Sequence, residues 1–154
     1  MIKVKRIDHV AIAVGDRDEG ARRLAELFGL ARGAVEHVAG QKTDVAFLNA
    51  DGCDDAGAAL EIIAPAGNEG LTKFLDRRGP GLHHVCFEVD DLPAALATLK
   101  AAGVRLIDES PRRGARGHDV AFLHPSATGG VLFELCSTQS SPPSPASSPH
   151  GAKA

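Results

Sequence analysis

The chain repeats itself. The run Ile7-Asp8-His9-Val10-Ala11-Ile12-Ala13-Val14 returns 75 residues later as Leu82-His83-His84-Val85-Cys86-Phe87-Glu88-Val89, and Asp44-Val45-Ala46-Phe47-Leu48 returns at the same offset as Asp119-Val120-Ala121-Phe122-Leu123. Each half then ends on a strand-like run carrying a carboxylate, Leu60-Glu61-Ile62-Ile63 and Phe133-Glu134-Leu135-Cys136. A duplication of this length restricts the chain to folds built from two like units. In such a fold, equivalent side chains from the two copies can face one shared space.

Within each copy the punctuation is regular. Ile7 to Val14 is rich in β-branched residues and predicts a strand. Asp16, with Glu19 at capping-box spacing, opens a helix whose apolar positions Ala21, Leu24, Ala25, Leu27 and Phe28 follow helical periodicity, and Gly29 closes it. Residues 34–39, 43–50 and 58–64 read as three further strands, with a loop at 51–57. The second half repeats the plan: a strand over 83–89, then a helix capped by Asp90 or Asp91 with Pro93 in its first turn and Leu96, Leu99 and Ala102 toward the core, stopped by Gly103. Strands follow at 104–107, 118–123 and 130–136, with a basic, flexible loop from Pro111 to Gly117. The expected architecture is therefore α+β: tandem βαβββ modules forming a curved mixed sheet around a cleft. The first module spans 1–66, a linker with a short helix near Leu71, Phe74 and Leu75 spans 67–81, and the second module spans 82–137. The Ser/Pro/Ala-rich stretch 138–154 cannot bury a core and reads as a disordered tail.

Composition removes several function classes. At 154 residues, 44% hydrophobic and with a mean hydropathy near zero, the chain has the makings of a soluble globular protein. A net charge of −3 offers no basic footprint for nucleic acid or an anionic membrane surface. No apolar run is long enough to span a bilayer, and the first residues lack a secretory leader. Cys53, Cys86 and Cys136 are odd in number and unpatterned, as expected of reduced thiols in a cytoplasmic protein.

Any one of His9, Glu61, His84 and Glu134 alone would read as a solvated or satisfied side chain. Four of them at matching places in two copies point to one metal ion. Two imidazoles and two carboxylates suit a first-row divalent cation. An octahedral shell would leave two positions open to substrate, the mark of a catalytic site. The repeat register selects His84, since His83 is one residue off and strand alternation sends it to the opposite side. His118 and His124 flank a repeated strand and read as structural or solvated. The arginines of residues 112–117 match no phosphate-binding motif, and a solvated loop is the expectation there.

These residues resemble the vicinal oxygen chelate superfamily and, within it, the methylmalonyl-CoA epimerases. The likeness covers residues 5–137. It is carried by Ile7 to Ala13, by Gly81-Leu82-His83-His84-Val85, by Gly103 to Pro111, by Ala121-Phe122-Leu123-His124-Pro125 and by Gly130 to Leu135. The resemblance implies His9, Glu61, His84 and Glu134 as metal ligands, with cobalt the leading candidate and nickel, manganese or zinc also possible. It implies an acyl-CoA thioester substrate, a homodimer, and proton transfer at C2 of methylmalonyl-CoA through a metal-stabilised enolate, with Glu134 as one proton carrier. The family's second carrier is a glutamate in the turn before a Gln-Lys or Gln-Gly pair. Here that turn is His37-Val38-Ala39-Gly40-Gln41-Lys42, with Gly40 in its place. Glu36 is about 13 Å away along an extended strand, and Asp44 lies beyond the turn. The resemblance thus implies a complete metal site with an incomplete pair of proton carriers, and weak or absent epimerase activity unless another group fills the gap. A glyoxalase I-like metalloisomerase and a non-catalytic binding protein of the same fold are the alternatives.

Overall fold

The computed structural model describes residues 1–50 and 57–138. Cys53, most of the loop at 51–57, His150 and nearly all of the Ser/Pro/Ala-rich tail lie outside the described residues. The elements are β1 (Val4–Ala13), α1 (Arg17–Phe28), β2 (Ala31–Val38), β3 (Thr43–Asn49), β4 (Ala59–Pro65), α2 (Glu69–Arg78), β5 (Gly81–Val89), α3 (Leu92–Ala101), β6 (Arg112–Arg113), β7 (Asp119–Leu123) and β8 (Phe133–Ser137). The eight strands form one mixed sheet in the order β2-β3-β4-β1-β5-β8-β7-β6. Each copy contributes one half of it. The first strands of the two copies, β1 and β5, run antiparallel along the centre, and each takes the last strand of its own copy as a parallel neighbour.

Alternation sorts the side chains onto two faces. On one, Ala21 and Ala25 of α1 pack on Ala46, Leu48 and Ile62, and in the second copy Leu92, Ala95 and Leu96 of α3 pack on Ala121, Leu123 and Leu135. Leu48 and Ile62 are fully enclosed, each contributing about 1.5–3 kcal/mol by burial. On the other face lie Phe47, Glu61 and Ile63 in the first copy and Phe122, Glu134 and Cys136 in the second, all lining one cavity. α1 and α3 cover one side of the sheet; on the other, α2 packs through Leu71 near Val45, Phe47 and Ile63 and lines part of the space that the copies share.

The helix signals are used as expected. Asp16 accepts from Glu19 N at 3.0 Å, Asp91 accepts from Ala94 N at 2.9 Å, and Gly29 takes the left-handed conformation after α1. The short linker helix forms as α2, capped by Asn68. Three expectations need correction. Leu27, Phe28 and Ala102 are exposed rather than core, because they lie past the stripes that face the sheet. The strand expected over 104–107 is reduced to a single bridge between Leu106 and Leu123. Beyond it, the backbone N–H groups of Ile107 and Asp108 both turn to the Phe122 carbonyl, and the Asp108 carboxylate takes the Phe122 N–H at 2.9 Å. A side chain thus occupies a ladder position, and Pro111 has no N–H to resume it. Third, the basic segment after Pro111 is structured: Arg112 and Arg113 pair with β7, and residues 115–117 form a tight turn against the first copy.

Candidate active site

Four buried side chains converge where β1, β4, β5 and β8 meet. His9 Nε2 lies 3.3 Å from His84 Nε2 and 3.3 Å from Glu61 Oε2. His84 Nε2 lies 3.6 Å from Glu61 Oε2 and 3.1 Å from Glu134 Oε2. Ligands about 2.1 Å from one cation in neighbouring octahedral positions stand about 3.0 Å apart, so the donor atoms are near the spacing a divalent ion imposes. The electrostatics agree. Burial opposes an imidazolium at His9, yet its hydrogen bonds to Asp8 and Glu61 outweigh that penalty and raise it to about 10. Burial likewise pushes Glu61 up, but the bond to His9 and the charges of His9, His84 and Arg116 bring it below its ordinary value. A pocket that draws a proton onto a buried histidine is a pocket that favours a cation. The donor set therefore fits a divalent metal.

Two β-bulges aim the histidines. In the β1–β5 ladder Ile7 faces Phe87 and His9 faces Cys86, leaving Asp8 as an extra residue; Ala11 faces His84 and Ile12 faces Leu82, leaving His83 as an extra residue. A bulge cancels alternation locally, so the residue before each of the two histidines stays beside it. Asp8 Oδ2 lies 2.8 Å from His9 Nδ1, and His83 Nδ1 lies 2.9 Å from His84 Nδ1. This corrects the sequence expectation for His83, which lines the same cavity as His84. Burial and the charge of His84 depress His83 to about 4, leaving it neutral and able to accept the N–H of His84. Asp8 is penalised by burial but held well below the usual carboxylate range by its bonds to His9 and Arg116. Arg6 adds a second guanidinium at 2.9 Å. The repeated pattern of a polar residue before each histidine was the signal available for both.

The cavity above the cluster has a volume of about 300 Å³. In the stretch around the turn its wall is Val38, Gln41, Thr43 and Val45; Gly40 is not among the lining residues, and a Cβ there would meet nothing within 4 Å. The carboxylates on the strands either side of the turn are engaged elsewhere. Asp44 bonds His37 at 2.8 Å on the surface, and Glu36 accepts the backbone N–H of Arg116 at 2.6 Å. The cavity's ionisable groups beyond the four converging ones are His83, Arg112, Arg116, His118 and Cys136. His118 and Cys86 both hydrogen-bond Cys136 and, against burial, bring that thiol to about 7. Cys86 Sγ also lies 3.7 Å from Glu134 Oε1. His124 lies apart, accepting from Ser126 N at 3.1 Å. Arg116 was missed, since its loop read as solvated; its side chain lies across Phe47 and reaches Asp8.

A family profile for the Glyoxalase/Bleomycin resistance protein/Dioxygenase superfamily matches residues 8–122. The mitochondrial methylmalonyl-CoA epimerase of Mus musculus is 34% identical over 135 residues, covering 86% of this chain and 73% of the relative. The crystal structure of methylmalonyl-CoA epimerase from Mycobacterium tuberculosis matches with a TM-score of 0.82 at 35% identity, covering 89% of this chain and 90% of that one. A variant of the Streptomyces coelicolor methylmalonyl-CoA epimerase, solved in complex with 2-nitronate-propionyl-CoA, also gives 0.82, at 31% identity and 90% and 100% coverage. Duplicated topology, the central pairing of the two copies and likeness across nearly all the described residues agree: the chain belongs to the glyoxalase/bleomycin resistance protein/dioxygenase superfamily, among the methylmalonyl-CoA epimerases.

Proposed function

We propose that this chain is a metal-dependent epimerase that interconverts (2R)- and (2S)-methylmalonyl-CoA by moving the proton at C2. The observation that carries the reading is the convergence of two imidazole nitrogens and two carboxylate oxygens, at separations of 3.1–3.6 Å, in the wall of a cavity open to a small acyl group. His9, Glu61, His84 and Glu134 would hold the cation, cobalt first, with nickel, manganese and zinc sharing the same donor preferences. Bound there, the ion would supply Lewis acidity to the acyl group as charge develops on loss of the C2 proton.

Glu134 is the proton carrier on one face of C2. Its carboxylate lines the cavity, with Oε2 toward His84 and Oε1 toward the Cys86 thiol. Around the 39–42 turn the cavity presents Val38, Gln41, Thr43 and Val45, none of them an ordinary proton carrier. Delivery to the second face then falls to water or to another proton-bearing group of the cavity, His118 or Cys136, neither of which holds the place of the family's second glutamate. Cobalt-loaded and metal-free protein are to be incubated with (2S)-methylmalonyl-CoA in deuterium oxide and followed by NMR. Deuterium is expected to enter C2 only with the cation present, and faster than the stereocentre inverts. Glu134→Gln is expected to slow exchange by about 10²-fold or more. Absence of exchange in the loaded protein, with turnover of the glutathione hemithioacetal of methylglyoxal instead, would reassign it as a glyoxalase I-like isomerase, which the same four donors serve equally well.

A further inference from the structure

Two guanidinium groups from one short segment lie over the two repeat-related phenylalanines that flank the metal cluster. Arg112 Cζ stands 5.2 Å from the Phe122 ring centre and Arg116 Cζ 4.2 Å from that of Phe47. The rings stand edge-on to His84 and His9, at centroid distances of 5.1 and 5.8 Å. The arginines differ in how they are held. Arg112 rests on Asp108 at 3.1 Å and is part-exposed at the cavity wall. Arg116 has a left-handed backbone, φ 54°, which a non-glycine residue adopts at a cost. Its N–H is held by Glu36 of the first copy, and Ala115 packs on the first copy's core. The chain is thus bent to bring this side chain into the cavity wall.

Once there, the guanidinium is incompletely used. Nη2 bonds Asp8, but Nε is buried without a hydrogen-bond partner. A buried N–H with no acceptor is unfavourable and invites one. Asp8 does not depend on Arg116 alone, because Arg6 Nη2 holds its other oxygen at 2.9 Å. The charge of Arg116 is also felt at Glu61, inside the cluster. We propose that Arg116 is a specificity residue that reads the carboxylate of the acyl group, turning its planar fork from Asp8 to an incoming malonyl-type thioester. The assignment rests on the acyl-CoA reading above and deepens it: the preferred thioesters carry a free carboxylate next to the reacting carbon, and simple acyl thioesters are held more weakly.

The test is equilibrium binding of methylmalonyl-CoA against propionyl-CoA, which lacks the carboxylate, measured calorimetrically with cobalt and again after chelation. In both states Arg116→Met is expected to lower the methylmalonyl-to-propionyl affinity ratio by about tenfold or more, with propionyl-CoA affinity nearly unchanged. Arg116→Lys should fall between, keeping the charge without the fork. Arg113→Met, a change in the same segment at a residue outside the cavity wall, should keep the wild-type ratio. Thermal melts report that each variant is folded. An unchanged ratio in Arg116→Met, or an equal loss in Arg113→Met, would overturn the assignment while leaving the epimerase reading intact. Wild-type protein that binds neither thioester would remove the acyl-CoA reading and this assignment together.

Discussion

Two histidines that must present Nε2 to a common point need their other nitrogen fixed, because a free imidazole has two tautomers and a rotating ring. The chain solves this twice, by the same bulge, with different chemistry. Asp8 accepts from His9 and is charged; His83 pairs with His84, Nδ1 to Nδ1, and is neutral. The four converging side chains were legible in the sequence because duplication marks them. The residues that orient them were not, because period-two reasoning places a neighbour on the far side, and only the paired ladder reveals a bulge. The two supports should separate in mutants. His83→Ala is expected to weaken cobalt binding by about 10–100-fold with little change in unfolding free energy, since His83 is only partly buried. Asp8→Asn should weaken binding comparably and also destabilise by about 3–5 kcal/mol, because it breaks a fully buried partner of two guanidiniums. Calorimetric titration with cobalt and urea unfolding measure both. Equal stability loss in the two variants would show that the asymmetry between the supports is unimportant.

At the scale of elements, local signals succeeded where one segment decides its own fate. Asp16 and Asp91 cap their helices and Gly29 ends one, all from chemistry within a few residues. They failed at β6, where the decision is long-range. The Asp108 carboxylate takes a backbone N–H of β7, and the strap beyond it is held by Glu36, 80 residues away. Gly114 sets how closely that strap approaches the sheet: a Cβ there would come within 2.6 Å of Val120 Cγ1. Val120 is buried, so it cannot give way freely. Gly114→Ala is therefore expected to cost about 1–3 kcal/mol in urea unfolding, as overpacking does, and to lift Arg116 from Phe47. Gly40→Ala, at an open position in the equivalent turn of the first copy, should be close to neutral. A neutral Gly114→Ala would mean that the strap is not seated by this contact.

On the scale of the whole molecule, the two copies meet along the β1–β5 seam and again where the 115–117 turn lies against the first copy, and the four converging side chains sit at the seam. Across it, Glu88 is penalised by burial but held below its ordinary value by Arg6 at 2.6 Å and Lys5 at 3.0 Å. A carboxyl depressed on folding adds stability that is complete above its unfolded value of about 4.3 and is lost as pH falls through the lower folded value. Urea midpoints of the wild type should thus drop between pH 6 and pH 3 by more than those of Glu88→Gln; parallel profiles would remove Glu88 from the account. A cation held by the four converging side chains would act on the same seam in a different way. His9 and Glu61 come from the first copy, His84 and Glu134 from the second, so a bound ion would cross-link the halves. An ion that binds the native state alone stabilises it by about 2.7 kcal/mol at a free concentration 100-fold above its Kd. For a domain of this size that raises Tm by roughly 5–11 °C. Because each copy supplies half of the donors, His9→Ala and His84→Ala should each abolish the cobalt-induced shift, although they lie on different modules. Calorimetric melts of the three proteins with cobalt and with chelator decide the matter. A shift that survives loss of the histidine from either module would place the cation within one half and end the idea of a shared site.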